Sequence, residues 1–285
     1  MKVFSISRML VAMGFLMSVS IACSDDDDNT TPDPVVVPND VQLKDAGTLG
    51  KVLTDKDGKT LYFFTKDVGG VSACTGGCLT TWPIFSAPAT AKIDAGLNAA
   101  DFKTITRADG ATQTTYKGWP LYYYKDDAVA GDTKGEGVGT RWYVAKTKYT
   151  VMLENSQLVG LDGKSYKADL TEGTGETQFL VDSLGRTLYA FARDSSGINN
   201  FTTNDATHDA SWPIYSAEIS DLPSALNKAD FGSITVFGKK QLTYKGWPLY
   251  YFGPDAMTPG MTKGVSVPKP GVWPIVNKDS PLAPK

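Results

Sequence analysis

Few side chains in this chain are of a kind that does chemistry. Two of the three cysteines stand together in Cys74-Thr75-Gly76-Gly77-Cys78. A pair so close serves as a short disulfide, a redox couple or part of a metal site. The spacing is not the CxxC of redox motifs nor the CxxCH that holds a c-type haem, and two thiolates supply half of a zinc shell. The single histidine, His208, lies in a polar Asn-Asp-Ala-Thr-His-Asp-Ala-Ser run. Alone it gives one ligand, and its polar setting reads as an exposed surface side chain. Asp55-Lys56-Asp57-Gly58 has the opening of a calcium loop but not its later ligands, so it reads as a hairpin turn. Gly135-Glu136-Gly137-Val138-Gly139 lacks the Lys-Ser/Thr end of a phosphate loop. No serine sits in a GxSxG elbow.

The chain repeats itself. Lys117–Tyr123 (KGWPLYY) recurs as Lys245–Tyr251, at an offset of roughly 130 residues. In the same order recur Thr-Leu-Tyr at Thr60 and Thr187, Trp-Pro-Ile at Trp82 and Trp212, Ala-Asp-Phe at Ala100 and Ala229, and Thr-Lys-Gly at Thr133 and Thr262. Counted back from Trp212, Asn204 and His208 match Cys74 and Cys78. Chemistry that needs the cysteines is therefore not shared by both copies, and the fold does not depend on the bridge.

Apolar runs around turn dipeptides predict the elements that carry these residues. One hairpin is expected over Lys51–Thr65, turning at Asp57-Gly58, with its equivalent over Gln178–Ala192. A second is expected over Lys103–Tyr116, turning at Asp109-Gly110, with its equivalent over Ser233–Tyr244. A Lys-Gly turn then leads into strands Trp119–Tyr124 and Trp247–Phe252, and last strands carry Trp142–Ala145 and Trp273–Val276. Leu97–Phe102 and Leu226–Phe231 each suit one helical turn. The chain reads as all-β: two tandem homologous β-sandwich or small-barrel domains.

Inside each copy a shorter pattern occurs twice: Tyr, any residue, aromatic, two residues, Asp. Its instances are Tyr62-Phe64-Asp67, Tyr122-Tyr124-Asp127, Tyr189-Phe191-Asp194 and Tyr250-Phe252-Asp255. Residues i and i+2 of a strand share a face, and the Asp falls beyond the strand end, where a carboxylate can accept turn N–H groups. Each domain is thus built from two related half-units. All six tryptophans fall in matched places, Trp82, Trp119, Trp142 and Trp212, Trp247, Trp273. A repeated aromatic set of this size is expected to form core. The alternative is an exposed aromatic row for a sugar, a haem or a flat partner.

These elements resemble the secreted lipoprotein repeat family defined by a Yx[FWY]xxD motif: LYFFTKD, the Cys74/Cys78 loop leading to Trp82-Pro83, and KGWPLYY followed by Gly131-Asp132-Thr133 and Trp142. The second copy departs from it at Asn204, at His208 and at Met261, which replaces Asp132. The resemblance implies an exported lipoprotein with no assigned activity.

The N-terminus agrees with export. Lys2 and Arg8 precede the apolar run Met9–Ile21, too short to span a bilayer and suited to a signal peptide over residues 1–22. Ser20-Ile21-Ala22-Cys23 resembles the bacterial lipobox, with Ser20 where the lipobox has Leu, and makes Cys23 the lipidated residue. A plain signal peptide cut near Ala22 is the alternative. Asp25–Asp28 repel one another and stay solvated, and the Thr/Pro/Asp-rich stretch to Pro38 suits a spacer. An acidic run beside the cysteine resembles the surface-export signal of Bacteroidota lipoproteins, though a plain polar spacer has the same composition. Exported chains meet oxidising conditions, so Cys74 and Cys78 are expected as a disulfide.

Along the chain the expected order is signal peptide 1–22, tether 23–45, first repeat domain 46–147, connector 148–174, second repeat domain 175–278 and tail 279–285. The formal net charge of −3 argues against a nucleic-acid partner. The expected protein is a lipid-anchored outer-membrane, cell-surface lipoprotein with a non-enzymatic binding or structural role. It carries no cofactor or metal, touches the membrane through its lipid, and meets an envelope protein or a small ligand. The alternatives are a haem- or metal-binding redox accessory and a carboxylate-based hydrolase.

Overall fold

In the computed structural model, residues 39–285 are described. Cys23 and the signal and acidic segments lie outside them. The first copy holds β1 (Val41–Asp45), β2 (Lys51–Asp55), β3 (Tyr62–Phe64), the short helix α1 (Cys78–Thr81), β4 (Phe102–Thr106), β5 (Thr112–Tyr116), β6 (Trp119–Pro120) and β7 (Trp142–Val144). The second holds β8 (Val151–Val159), β9 (Ser165–Tyr166), β10 (Glu176–Asp182), α2 (Ala206–Asp209), β11 (Phe231–Val236), β12 (Lys239–Tyr244) and β13 (Trp247–Pro248). The chain is all-β with tandem repeats. It builds several small antiparallel sheets, β1-β2, β3-β7, β4-β5-β6, β9-β8-β10 and β11-β12-β13, and no closed barrel among the described residues.

The two copies use one wiring. Tyr62 pairs with Tyr122 and with Val144, and Tyr122 with Ile84. Tyr189 pairs in the same way with Tyr250 and Ile275, and Tyr250 with Ile214. The Lys-Gly turns join β5 to β6 and β12 to β13 by two-residue loops. Lys117 and Gly118 have φ of 50° and 87°, and Lys245 and Gly246 49° and 86°. Positive φ at both loop positions gives the primed turn whose twist suits a hairpin. The strands expected to run on to Tyr124 and Phe252 shrink to residue pairs, because Pro120 and Pro248 have no N–H to continue the ladder. Tyr122 and Tyr250 then pair on the other side. The expected helical turns appear as 3₁₀ turns at Ala99–Asp101 and Lys228–Asp230, where Asn98 and Asn227 side chains accept from the N–H of Ala100 and Ala229.

Segments read as tether, connector and tail take part in the fold. Val41 opposes Asp55 in the β1–β2 register, and Val151 opposes Asp182 in β8–β10. β1 and β8 are therefore the same strand of the two repeats. Both Val41 and Val151 are fully buried. Val-Gln-Leu-Lys-Asp alternates apolar and polar residues as a half-buried strand does, but only the fold sets the strand it pairs with. In the tail, Trp247 donates from Nε1 to the Pro281 carbonyl (2.9 Å) and Ala283 N–H to the Lys245 carbonyl (2.9 Å). The equivalent Trp119 donates instead to Ser183 of the second repeat, at 3.1 Å.

The described residues belong to one compact unit, and its largest core cluster crosses between repeats. Leu53, Phe63 and Trp119 of the first share it with Met152, Phe179 and Val181 of the second.

Candidate functional site

The repeated motif turns out to be an exchange between half-units. Tyr62 donates its hydroxyl to Asp127 Oδ2 at 2.6 Å, Tyr189 to Asp255 Oδ2 at 2.7 Å, and Tyr250 to Asp194 Oδ2 at 2.7 Å. Each of these tyrosines thus reaches the aspartate of the other half. The remaining oxygen of each aspartate accepts a backbone N–H further on: Ala73 for Asp67 (2.7 Å), Lys134 for Asp127 (2.9 Å), Asn200 for Asp194 (2.7 Å) and Lys263 for Asp255 (3.0 Å). One carboxylate so pins a loop and a strand together. Burial raises all four acids, Asp194 and Asp255 to about 6, and lifts the tyrosine hydroxyls well above their usual range.

The motif's second aromatic closes a ring stack. In the first repeat the order is Phe64, Trp142, Trp82, Tyr124, with centroids 4.0, 3.8 and 4.4 Å apart. In the second it is Phe191, Trp273, Trp212, Phe252, at 4.4, 3.7 and 4.3 Å. Tyr62, Tyr122, Tyr189 and Tyr250 meet these tryptophans edge-on and are all fully buried. The glycine of each Thr-Lys-Gly lies over this cluster. A Cβ on Gly135 would stand 2.8 Å from the Tyr62 ring, and one on Gly264 2.8 Å from Tyr189. The motif side chains are core except Tyr124, which is half-buried at the end of its stack, so they form no exposed aromatic row.

Cys74 and Cys78 form a disulfide, with Cα atoms 5.4 Å apart. It closes the loop before Trp82, and Cys74 is buried beside Tyr122 and Trp142. The matching of Cys74 to Asn204 needs correction. The run from Asp194 to Trp212 is three residues longer than that from Asp67 to Trp82. Counted forward from the motif Asp, whose Oδ1 anchors Ala73 or Asn200, the equivalent of Cys74 is Phe201. Phe201 stacks on His208 at 4.4 Å and packs against Trp273 at 4.9 Å. A ring stack thus stands where the first repeat has its bridge. His208 itself is exposed and bonds Asp209 Oδ1 at 2.9 Å.

One place in the motif network is left open. Tyr122 turns its hydroxyl to Ser72 Oγ at 2.5 Å, and Asp67 Oδ2 has no hydrogen-bond partner. The buried Arg107 guanidinium holds this corner, donating to Ser72, to Gln113 Oε1 (2.9 Å) and to the Cys74 carbonyl (2.7 Å). In the second repeat Asn199 takes its place on Gln241 Oε1, at 2.7 Å.

Asp67 lines a cleft of about 550 Å³ between the repeats, walled by Gly70, Trp119, Gly185, Met257 and Pro259. Glu154, in the middle of β8, lines it too. Glu154 is fully buried and neither carboxylate oxygen has a partner. Burial alone raises Glu154 to about 8, and burial outweighs the Ala73 N–H, Tyr122 and the Arg107 charge to raise Asp67 to about 7. Raised acids lining a cleft mark a candidate functional site. Glu154 escaped the motif search because it belongs to no repeated pattern. Its one signal is a charge inside the apolar strand Val-Met-Leu-Glu-Asn.

Among the described residues no helix is long and apolar enough to cross a membrane. No curated protein and no solved structure matches the chain. Residues 45–86, 103–146 and 235–277 match a family described as a secreted repeat of unknown function. Each matched segment contains one complete Tyr/aromatic/Asp motif, so the family's unit is the half-unit seen here. The remaining half-unit, around Tyr189 and Asp194, has the lengthened loop and the same hydrogen bonds. These three segments are similar to a secreted repeat of unassigned role, which points to an exported protein.

Proposed function

We propose that this is a lipid-anchored envelope protein, attached through Cys23 and displayed at the outer membrane, with a non-enzymatic binding role centred on the cleft between its repeats. The observation that carries this reading is a pair of buried acids lining one cleft, Glu154 with both carboxylate oxygens unpaired and Asp67 with Oδ2 unpaired. The other motif residues support it by elimination, since, Asp67 and Tyr122 apart, their hydroxyls, carboxylates and rings are engaged within the motif and its loops. Leaving polar groups buried and unpaired costs stability, and a bound ligand offsets that cost.

Mass spectrometry of the intact protein extracted from cells tests the anchor. Acyl chains on Cys23 are expected, and an unmodified Cys23 would remove the membrane claim. A carboxylate-based hydrolase is the second reading, because the same raised acids suit acid–base work. Turnover of any ester or glycoside that Glu154→Gln abolishes would favour the hydrolase over the binding protein.

A further inference from the structure

The groups around Glu154 and Asp67 define what the cleft can hold. Glu154 is set between two glycine backbones: a Cβ on Gly260 would lie 3.1 Å from Oε1, and one on Gly185 3.5 Å from Oε2. The cations on the same walls are committed elsewhere or lie at the mouth. Arg186 is bound to Asp182 and donates to the Tyr251 hydroxyl at 3.1 Å. Lys117 donates from Nζ to the Thr147 carbonyl at 2.8 Å and lies over the Tyr116 ring. Lys103 is exposed, and Asp101 adds another acid to the lining. Arg107, whose charge acts on Asp67, spends its donors on Ser72, Gln113 and the Cys74 carbonyl, and no cation acts on Glu154. Trp119 and Pro259 give the same space an apolar wall.

We propose that this cleft binds a small organic ammonium ligand, whose –NH3⁺ donates to Glu154 and Asp67 while its apolar body lies against Trp119. The proposal rests on reading the cleft as the protein's binding place and goes further by naming the ligand's chemistry. An ammonium has three donors and no acceptor, which suits acceptors that lack donors. An aromatic face beside it adds attraction. A calcium ion would need six or more oxygens, and among the described residues no three His, Cys, Asp or Glu gather to hold a metal. An anion would meet the acids as like charge, and a neutral sugar would leave their charge uncompensated.

Ionised carboxylates bind the ammonium, so binding strengthens as pH rises through the raised range of Asp67 and Glu154. Titration of the full mature chain in detergent with 2-phenylethylamine, against 2-phenylethanol as its uncharged counterpart, tests this. At pH 8.5 calorimetry should find one amine site per chain, at least about tenfold tighter than the alcohol. The affinity should fall at least about tenfold at pH 6, and by a similar factor in Glu154→Gln and Asp67→Asn at pH 8.5. Equal binding of amine and alcohol, amine binding untouched in both variants, or calcium saturating the site instead would overturn the ammonium assignment and leave the cleft as a binding place. Binding of neither probe, with Trp119 emission unchanged, would overturn the cleft itself.

Discussion

In the second repeat both motif tyrosines reach the aspartate of the opposite half-unit, whereas in the first only Tyr62 does. Tyr122 turns to Ser72, and Asp67 Oδ2 is left without a partner. The second difference lies on equivalent strands. The β1–β2 and β8–β10 registers place Lys44 and Glu154 at the same position. Lys44 is exposed, and Glu154 is buried where β8 packs against the first repeat. Thr65 accepts from the Asn155 N–H at 2.7 Å beside it. Both departures from the repeat open onto the same cleft. Symmetric positions carry the fold, and the asymmetric ones hold charge that the fold leaves unsatisfied.

That comparison can be broken most forcefully at the shared ring stack. Trp142→Ala and Trp273→Ala should each cost about 3–5 kcal/mol, and to a similar degree, by chemical denaturation. A variant that loses little would show that its repeat does not rely on the stack. Next is the asymmetric acid. Glu154 has a raised folded-state pKa, so the folded protein binds more protons than the unfolded chain between the usual Glu range and about pH 8. Its presence therefore destabilises progressively as pH rises across that window. Glu154→Gln should raise Tm at pH 8.5, by a gain on the order of a few kcal/mol, and change it little at pH 4. A gain of equal size at both pH values would assign the effect to packing.

The tyrosines sharpen the comparison further. Tyr250→Phe strips Asp194 of its partner and should cost about 1–3 kcal/mol. Tyr122→Phe should cost less, since it removes only the bond to Ser72, which keeps Arg107 as a partner. Equal losses, read from denaturant midpoints, would mean that Asp67 is paired after all. The smallest effects belong to the loops. Cys78→Ser opens a short bridge worth about 2 kcal/mol. His208→Ala removes one side of an exposed ring stack worth about 0.5–1.5 kcal/mol.

Much of this architecture was legible in the sequence because duplication supplies a control within one chain. The hairpins, the Lys-Gly turns and the pairing of Tyr with a same-face aromatic follow from period-two spacing and turn chemistry. The asymmetry at the disulfide was legible as well, although its counterpart was misplaced. An insertion shifts every position counted from one side of it, so counting from Trp212 reached Asn204 and missed Phe201. That Val41–Asp45 and Val151–Val159 are the same strand of the two repeats was less visible, since that equivalence shows only in their ladder partners. The cleft was not legible. Glu154 is one acid without a repeat partner of its own type, and nothing local predicts that another repeat will cover it.

By itself the sequence determined that there are two copies, each of two halves, that strands dominate, and which aromatics belong together. Those are local properties, carried by periodicity, turn residues and self-similarity. Tertiary structure decided which oxygen meets which hydroxyl, that the halves exchange their Tyr–Asp bonds, and that Asp67 and Glu154 share a cavity. Desolvation depends on everything packed around a group, and the packing that buries Glu154 comes from residues nearly a hundred positions away, around Thr65.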